Sequence, residues 1–314
     1  MVEEREIENI TEDEAALYDR QIRLWGLDAQ KRLHAANVLL IGMSGLGAEV
    51  AKNIALSGIK SLTLLDDNEV RIWQSLYQSI VGSDKSMGSR RATSSLENVQ
   101  KLNPMVKVSA YTESVDAKAD EYFEQFHVIC ATCCSEETLL RLNRITHRSN
   151  ILFFAGQVFG FYGFAFTDLN DQHEYAELSS EWHSNLQLMN SAISCHLNKS
   201  DEDKDMLLLV TISVFLRFRE KEKRWPAAKT ATEDKTTLTN LQLEVLEKMN
   251  LAPEKLGEEF VNYSIAELSA ACAVVGGLMA QEIIKAVSQK DAPLNNFFLF
   301  DGREGCGIVE HLGY

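Results

Sequence analysis

The sequence predicts an α/β fold, a doubly wound and mostly parallel sheet that carries a mainly helical insertion. Three observations lead there. Apolar runs of strand length recur at residues 38–41, 62–65, 106–110, 128–131 and 151–154, with helical periodicity between several of them. The first run ends in a glycine-rich turn, Gly42-Met-Ser-Gly-Leu-Gly47, that opens a helix, which is the order of a βαβ unit. After Phe166 the alternation gives way to polar, charged and helical sequence until about Glu259, and strand-like runs then return near the end.

Each element has its own signal. Thr11 and Glu14 form a T-x-x-E capping box, and Tyr18, Ile22, Trp25 and Leu33 follow at helical spacing, so an amphipathic helix opens the chain. The helix after the glycine turn runs through Val50, Ile54 and Leu56 and is closed by Ser57-Gly58. A helix over 91–102 stops at Asn103-Pro104, and another over 137–148 precedes the run at 151–154. Ile265, Leu268 and Cys272 restore apolar periodicity, and 270–280 reads as a buried helix, too short for a bilayer and followed by Gln281 and Glu282. Runs at 297–300 and 307–310 flank Asp301-Gly302 as two returning strands. The expected organisation is therefore a sheet domain from 1–169 and 258–314, interrupted by an insertion at 170–257.

Composition narrows the function. A chain of 314 residues with 45% hydrophobic and 25% charged residues has enough apolar sequence for a core, and a net charge of −15 lacks the basic footprint of a nucleic-acid or anionic-membrane binder. The acidic start has no apolar signal segment, so an intracellular chain with six free thiols is expected.

The glycine turn lies where a nucleotide site needs it, because the N–H groups that open a helix can hold phosphate. In the G-x-G-x-x-G pattern the middle glycine lets a pyrophosphate approach, and here that place is Ser44, with Gly42, Gly45 and Gly47 around it. Asp66, at the end of the second strand, is placed to hold a ribose hydroxyl. A turn used only for tight strand–helix packing explains the same glycines, and the loop alone leaves both readings open. Cys130 and Cys133 form a C-x-x-C without a second pair, which favours buried thiols over zinc. Cys195 and His196 are sequence neighbours, a poor geometry for nucleophile and base, and read as a structural or surface pair. The alternating charges at 217–224 read as a solvated helix face. Arg23 has Asp19 four residues before it, whereas Arg20 has Ala16, which leaves Arg20 the freer to reach a phosphate.

Several longer motifs carry a resemblance. Tyr18-Asp-Arg-Gln-Ile-Arg-Leu-Trp-Gly26, Gly45-Leu-Gly-Ala-Glu-Val-Ala-Lys-Asn53, Leu102-Asn-Pro104, Cys272-Ala-Val-Val-Gly-Gly-Leu-Met-Ala-Gln-Glu-Ile-Ile-Lys285 and Asn295-Asn-Phe-Phe-Leu-Phe-Asp-Gly302 resemble the ubiquitin-like-modifier activating enzymes. The likeness spans nearly the whole chain and is weakest over the insertion. It implies an adenylation fold of the ThiF/MoeB type, whose active half joins a modifier's C-terminal glycine to AMP and passes it to a cysteine. This chain departs from the active half at Ser44, at Leu76-Tyr77-Gln78 where that half carries Asn-Arg-Gln on ATP, and at Cys133 where it holds magnesium with Asp. A neutral thiol is a poor ligand for so hard a cation.

The resemblance therefore implies the non-catalytic half of a heterodimer. That half binds no cofactor itself, while the catalytic partner binds ATP and Mg2+. The compact insertion, which lacks the catalytic cysteine, favours SUMO as the modifier. Arg20 matches the family arginine that reaches into the partner's ATP site, Arg91 stands as a relic of a phosphate-binding lysine, and the nucleus, with the cytoplasm beside it, is the expected location. A regulatory half for another modifier, a self-sufficient homodimeric adenylating enzyme and a nicotinamide-dependent oxidoreductase are the alternatives. The second would need the acidic ligand that Cys133 replaces, and the third leaves the motif at 18–26 without a role.

Overall fold

The computed structural model describes residues 11–70, 88–170, 204–226, 230–248, 251–252, 258–263 and 266–311. The chain opens with three short helices, α1 (Glu12–Leu17), α2 (Asp19–Trp25) and α3 (Leu27–Ala35), in place of the single helix expected. Both halves of the capping box form, with Thr11 accepting from the Glu14 N–H and Glu14 accepting from the Thr11 N–H. Tyr18 ends α1 because it is pulled into the core, 3% exposed, where its hydroxyl accepts a 2.8 Å bond from Asn103 Nδ2. Gly26, at φ 90°, then turns the chain between α2 and α3.

The sheet follows. Strand β1 (Asn37–Ile41) leads through α4 (Gly45–Leu56) to β2 (Ser61–Leu65). Then come α5 (Arg91–Leu102), β3 (Lys107–Tyr111), α6 (Asp120–Phe123), β4 (Val128–Thr132), α7 (Glu136–Arg148), β5 (Leu152–Phe159) and β6 (Tyr162–Asp168). The described part of the expected insertion supplies α8 (Lys204–Glu222) and α9 (Ala231–Lys248), and α10 (Ser269–Ser288), β7 (Phe297–Asp301) and β8 (Cys306–Glu310) end the fold. The eight strands lie in the order β3-β2-β1-β4-β5-β6-β7-β8, parallel through β5 and antiparallel from β5 to β8.

Helices cover both faces. In β1, Val38 and Leu40 join a core with α4, α5 and α10, while Leu39 and Ile41 join a second core with α7, α8 and α9. The period of two in a strand buried on both sides gives this alternation. Helices α8 and α9 belong to that second core. Phe215 of α8 stacks on Phe159 of β5 with centroids 4.4 Å apart. Helix α10 is long and apolar enough to cross a membrane by composition, yet Val275, Met279 and Ile283 are buried against the sheet and α4. It is a core helix, longer than the 270–280 segment suggested.

Candidate nucleotide cleft

Between β1 and β4 the strand order reverses, and the loops at the carboxyl ends of these strands form a cleft, the usual ligand position in an open α/β sheet. It encloses about 130 Å3 among Gly42, Asp66, Asn68, Arg91, Asp116, Thr132, Cys133, Arg219 and their neighbours. Pockets for drug-sized ligands are roughly 300–1,000 Å3.

The glycine turn is shaped by packing. A Cβ on Gly42, which sits at φ 86°, would lie 2.3 Å from the Thr132 carbonyl oxygen, and one on Gly47 would lie 1.9 Å from the Gly42 oxygen. Thr132 Oγ1 donates to the carbonyls of Ile41 and Gly42 at 3.0 and 2.8 Å, which fixes the turn against β4.

Two charged groups of the cleft, Asp66 and Arg91, are matched to each other. Asp66, 4% exposed, pairs with Arg91 Nη2 at 2.9 Å and accepts from the Met43 N–H at 2.5 Å and the Asn68 N–H at 2.8 Å. Its acceptor positions, expected on a ribose, are spent on the loop and on Arg91, so Arg91 is the buried counter-ion of Asp66 and more than a relic. Ser44 is the N-cap of α4, but its side chain caps nothing. Instead Ser44 Oγ lies 2.7 Å from Cys133 Sγ. Cys133 stands at φ 59°, a left-handed conformation uncommon for a residue with a Cβ.

The Cys133 thiol also lies 3.7 Å from Glu267 Oε1, and burial together with the Glu267 carboxylate pushes its pKa up to about 12. Glu267 Oε2 accepts from the Gly45 N–H at 3.0 Å, at the N-terminus of α4. This glutamate gave no signal in the sequence. It is 222 positions from Gly45, and only the fold brings the two together.

The model of the ThiF family matches residues 18–308. The chain belongs to the ThiF family. Relatives named SUMO-activating enzyme subunit 1 match it end to end, at 41% identity in Bos taurus with 100% of this chain and 99% of the relative covered. The Xenopus tropicalis relative is 42% identical over 99% of each chain, and the Homo sapiens relative 40% over 100% and 99%.

The remaining candidates in this ThiF chain fall in three places. Arg20 does not line the cleft; it lies exposed on α2 with no ion-pair partner among the described residues. Arg23 pairs with Asp19 at 3.0 Å. Tyr77 and Cys195 lie outside the described residues. Cys130 is fully buried in β4, and no cluster of metal-binding side chains occurs among the described residues. The charged run at 217–224 is the solvated face expected at Glu220, Lys221 and Lys223, which are exposed, but not throughout. Arg219 lines the cleft, and Arg224 makes a two-pronged pair with buried Asp234 at 2.6 and 2.9 Å, joining α8 to α9.

Proposed function

We propose that this chain is the non-catalytic half of a heterodimeric SUMO-activating enzyme, supporting ATP-dependent adenylation of the SUMO C-terminus by its catalytic partner. The observation that carries the reading is the end-to-end match, at about 40% identity, to relatives named SUMO-activating enzyme subunit 1. The cleft supports the division of labour. With about 130 Å3, an Asp66 already paired and a thiol where a hard-cation ligand belongs, its described residues do not fit ATP and magnesium, and these are assigned to the partner.

Two surface features suit a supporting role. Leu17, Leu24 and Leu27 on α1 to α3 and Val274 on α10 are large apolar side chains left exposed, at 57, 75, 46 and 46%, as expected where a partner subunit docks. Arg20 lies exposed on α2, and in this reading its guanidinium, permanently charged and able to bond two oxygens at once, meets phosphate charge across the interface.

The test is ATP–pyrophosphate exchange with SUMO, run on this chain alone and together with a catalytic SUMO-activating subunit. The chain alone is expected to give none and the pair to give full exchange. Exchange or a SUMO thioester from the chain alone refutes the reading, as does a chain that forms no complex with the catalytic subunit.

A further inference from the structure

Two motifs that stand far apart in the sequence, Tyr18 to Gly26 and Leu102 to Pro104, meet in the fold. Asn103 is 3% exposed, and its Nδ2 donates to the Tyr18 hydroxyl at 2.8 Å and to the Ala55 carbonyl at 2.9 Å. Its Oδ1 accepts from the Met105 N–H at 3.1 Å, so the amide is held on both sides. The Tyr18 ring lies over Gly58, where a Cβ would come within 2.6 Å of it. The chain therefore enters α2 from a fixed and buried point.

The side chains of α2 and α3 reach the same place. The last carbonyls of a helix have no partner inside it, and at the end of α4 these oxygens are taken by the opening segment. Leu56 oxygen accepts from Gln21 Nε2 at 3.1 Å, and Ser57 oxygen accepts from Gln30 Nε2 at 3.1 Å. Gln30 Oε1 in turn accepts from Trp25 Nε1 at 3.1 Å. Tyr18, Gln21 and Trp25 stand at i, i+3 and i+7, the spacing of one helical face, and Arg20 falls on the opposite side. Within the motif Tyr18, Asp19, Gln21, Arg23 and Trp25 are all bonded inside the chain, whereas Arg20 is exposed and has no ion-pair partner among the described residues.

We propose that Tyr18, Gln21 and Asn103 are positioning residues for Arg20, fixing the rotation of α2 on the end of α4 so that the guanidinium points away from this chain at one angle. The proposal rests on the role given to Arg20 above and assigns that role a support within this chain. It also gives the Leu102-Asn-Pro104 motif a task, since Asn103 joins the Tyr18 hydroxyl to the Ala55 carbonyl.

The test is ATP–pyrophosphate exchange with SUMO at saturating ATP, in the reconstituted heterodimer with the catalytic subunit in saturating excess. The full-length chain is compared with Tyr18→Phe, Gln21→Met, Arg20→Ala and the two doubles that combine Arg20→Ala with each of the others. A group misplaced by about 1 Å can cost on the order of a hundredfold, and loss of one anchor of several should lower kcat by about three- to tenfold while Arg20 is present. In the Arg20→Ala background the same changes should cost less than about twofold, because the side chain they misplace is gone. A merely structural role would lower exchange equally in both backgrounds. Equal losses in both, or normal exchange from Tyr18→Phe and Gln21→Met where Arg20→Ala is impaired, overturns the proposal and leaves the role of Arg20 standing. If Arg20→Ala has no effect, that role falls and the proposal with it. Gln21→Met, at a half-buried position, decides the matter if Tyr18→Phe fails to fold.

Discussion

Arg91→Ala should destabilise the chain far more than Arg23→Ala, although the two arginines make ion pairs of nearly equal length. Arg91 meets Asp66 at 2.9 Å with side chains 10 and 1% exposed, and Arg23 meets Asp19 at 3.0 Å with side chains 78 and 51% exposed. Burial separates them. Deleting one partner of a buried pair typically costs about 3–5 kcal/mol, because the other charge is left without compensation. Asp66 keeps its bonds from the Met43 and Asn68 N–H groups, so about 2–3 kcal/mol is expected here. The exposed pair, screened by water, should cost only a few tenths of a kcal/mol, about 0.3–0.5. At roughly 2–4 °C per kcal/mol for a chain of this size, Arg91→Ala lowers Tm by about 4–12 °C and Arg23→Ala by less than about 2 °C. Urea unfolding followed by circular dichroism gives the free-energy costs and thermal unfolding the Tm shifts, and Asp66→Asn combined with Arg91→Met should recover much of the loss. An Arg91→Ala cost as small as that of Arg23→Ala would show that the cleft is wetter than its geometry implies, and the self-neutralised site would fall with it.

Arg20→Ala in the reconstituted heterodimer should lower pyrophosphate exchange by about ten- to a hundredfold, less than the thousandfold or more of a lone arginine finger because magnesium shares the charge. Arg23→Ala should leave exchange near normal, and equal losses from the two would remove the role given to Arg20. Cys133, its pKa pushed up to about 12 from an ordinary 9.0, should have roughly a thousandfold smaller thiolate fraction than a free thiol. Iodoacetamide at pH 8, followed by mass spectrometry of the native chain, should leave it unlabelled while N-acetylcysteine reacts, and labelling within tenfold of that reference would refute the assignment. The Glu14 carboxyl is held below its ordinary 4.5 by the Thr11 N–H, so it contributes stability above that value and loses it as pH falls through the folded pKa. Glu14→Gln should therefore flatten the fall in Tm below about pH 4.5, and an unchanged slope there would count against the cap.

Where the sequence misled, the cause was tertiary. Strands β1 to β4 are legible as short apolar runs, β1 closed by Gly42, and helix α5 by its periodicity and the stop at Asn103-Pro104. The β5–β6 hairpin is not, since only 151–154 reads as a strand and Gly156, Gly160 and Gly163 interrupt the apolar run beyond it. Gly156 sits inside a strand because Met279 of α10 packs over it, leaving 2.5 Å between a Cβ there and the Met279 sulfur, and Gly163 meets Val275 in the same way. The opening helix breaks at Tyr18 because the Asn103 bond and the core outweigh helical propensity. Of the cleft, the sequence showed Ser44, Asp66 and Cys133 but neither the Asp66–Arg91 pair nor Glu267, because charge pairing across such separations has no period to read.

The glycine turn shows which parts of a nucleotide motif packing alone requires. Gly42 and Gly47 are required by backbone contacts of 2.3 and 1.9 Å to a would-be Cβ, contacts internal to the turn and to β4, so these glycines are needed whether or not a phosphate ever arrives. The middle position answers to a phosphate alone, and there the chain carries Ser44, bonded to Cys133. The same division runs through the charges. A helix N-terminus needs an anion and receives Glu267; a buried aspartate needs a cation and receives Arg91. Both of these requirements are met from within the chain, while Arg20, exposed on α2 and with no ion-pair partner among the described residues, stands outside the cleft.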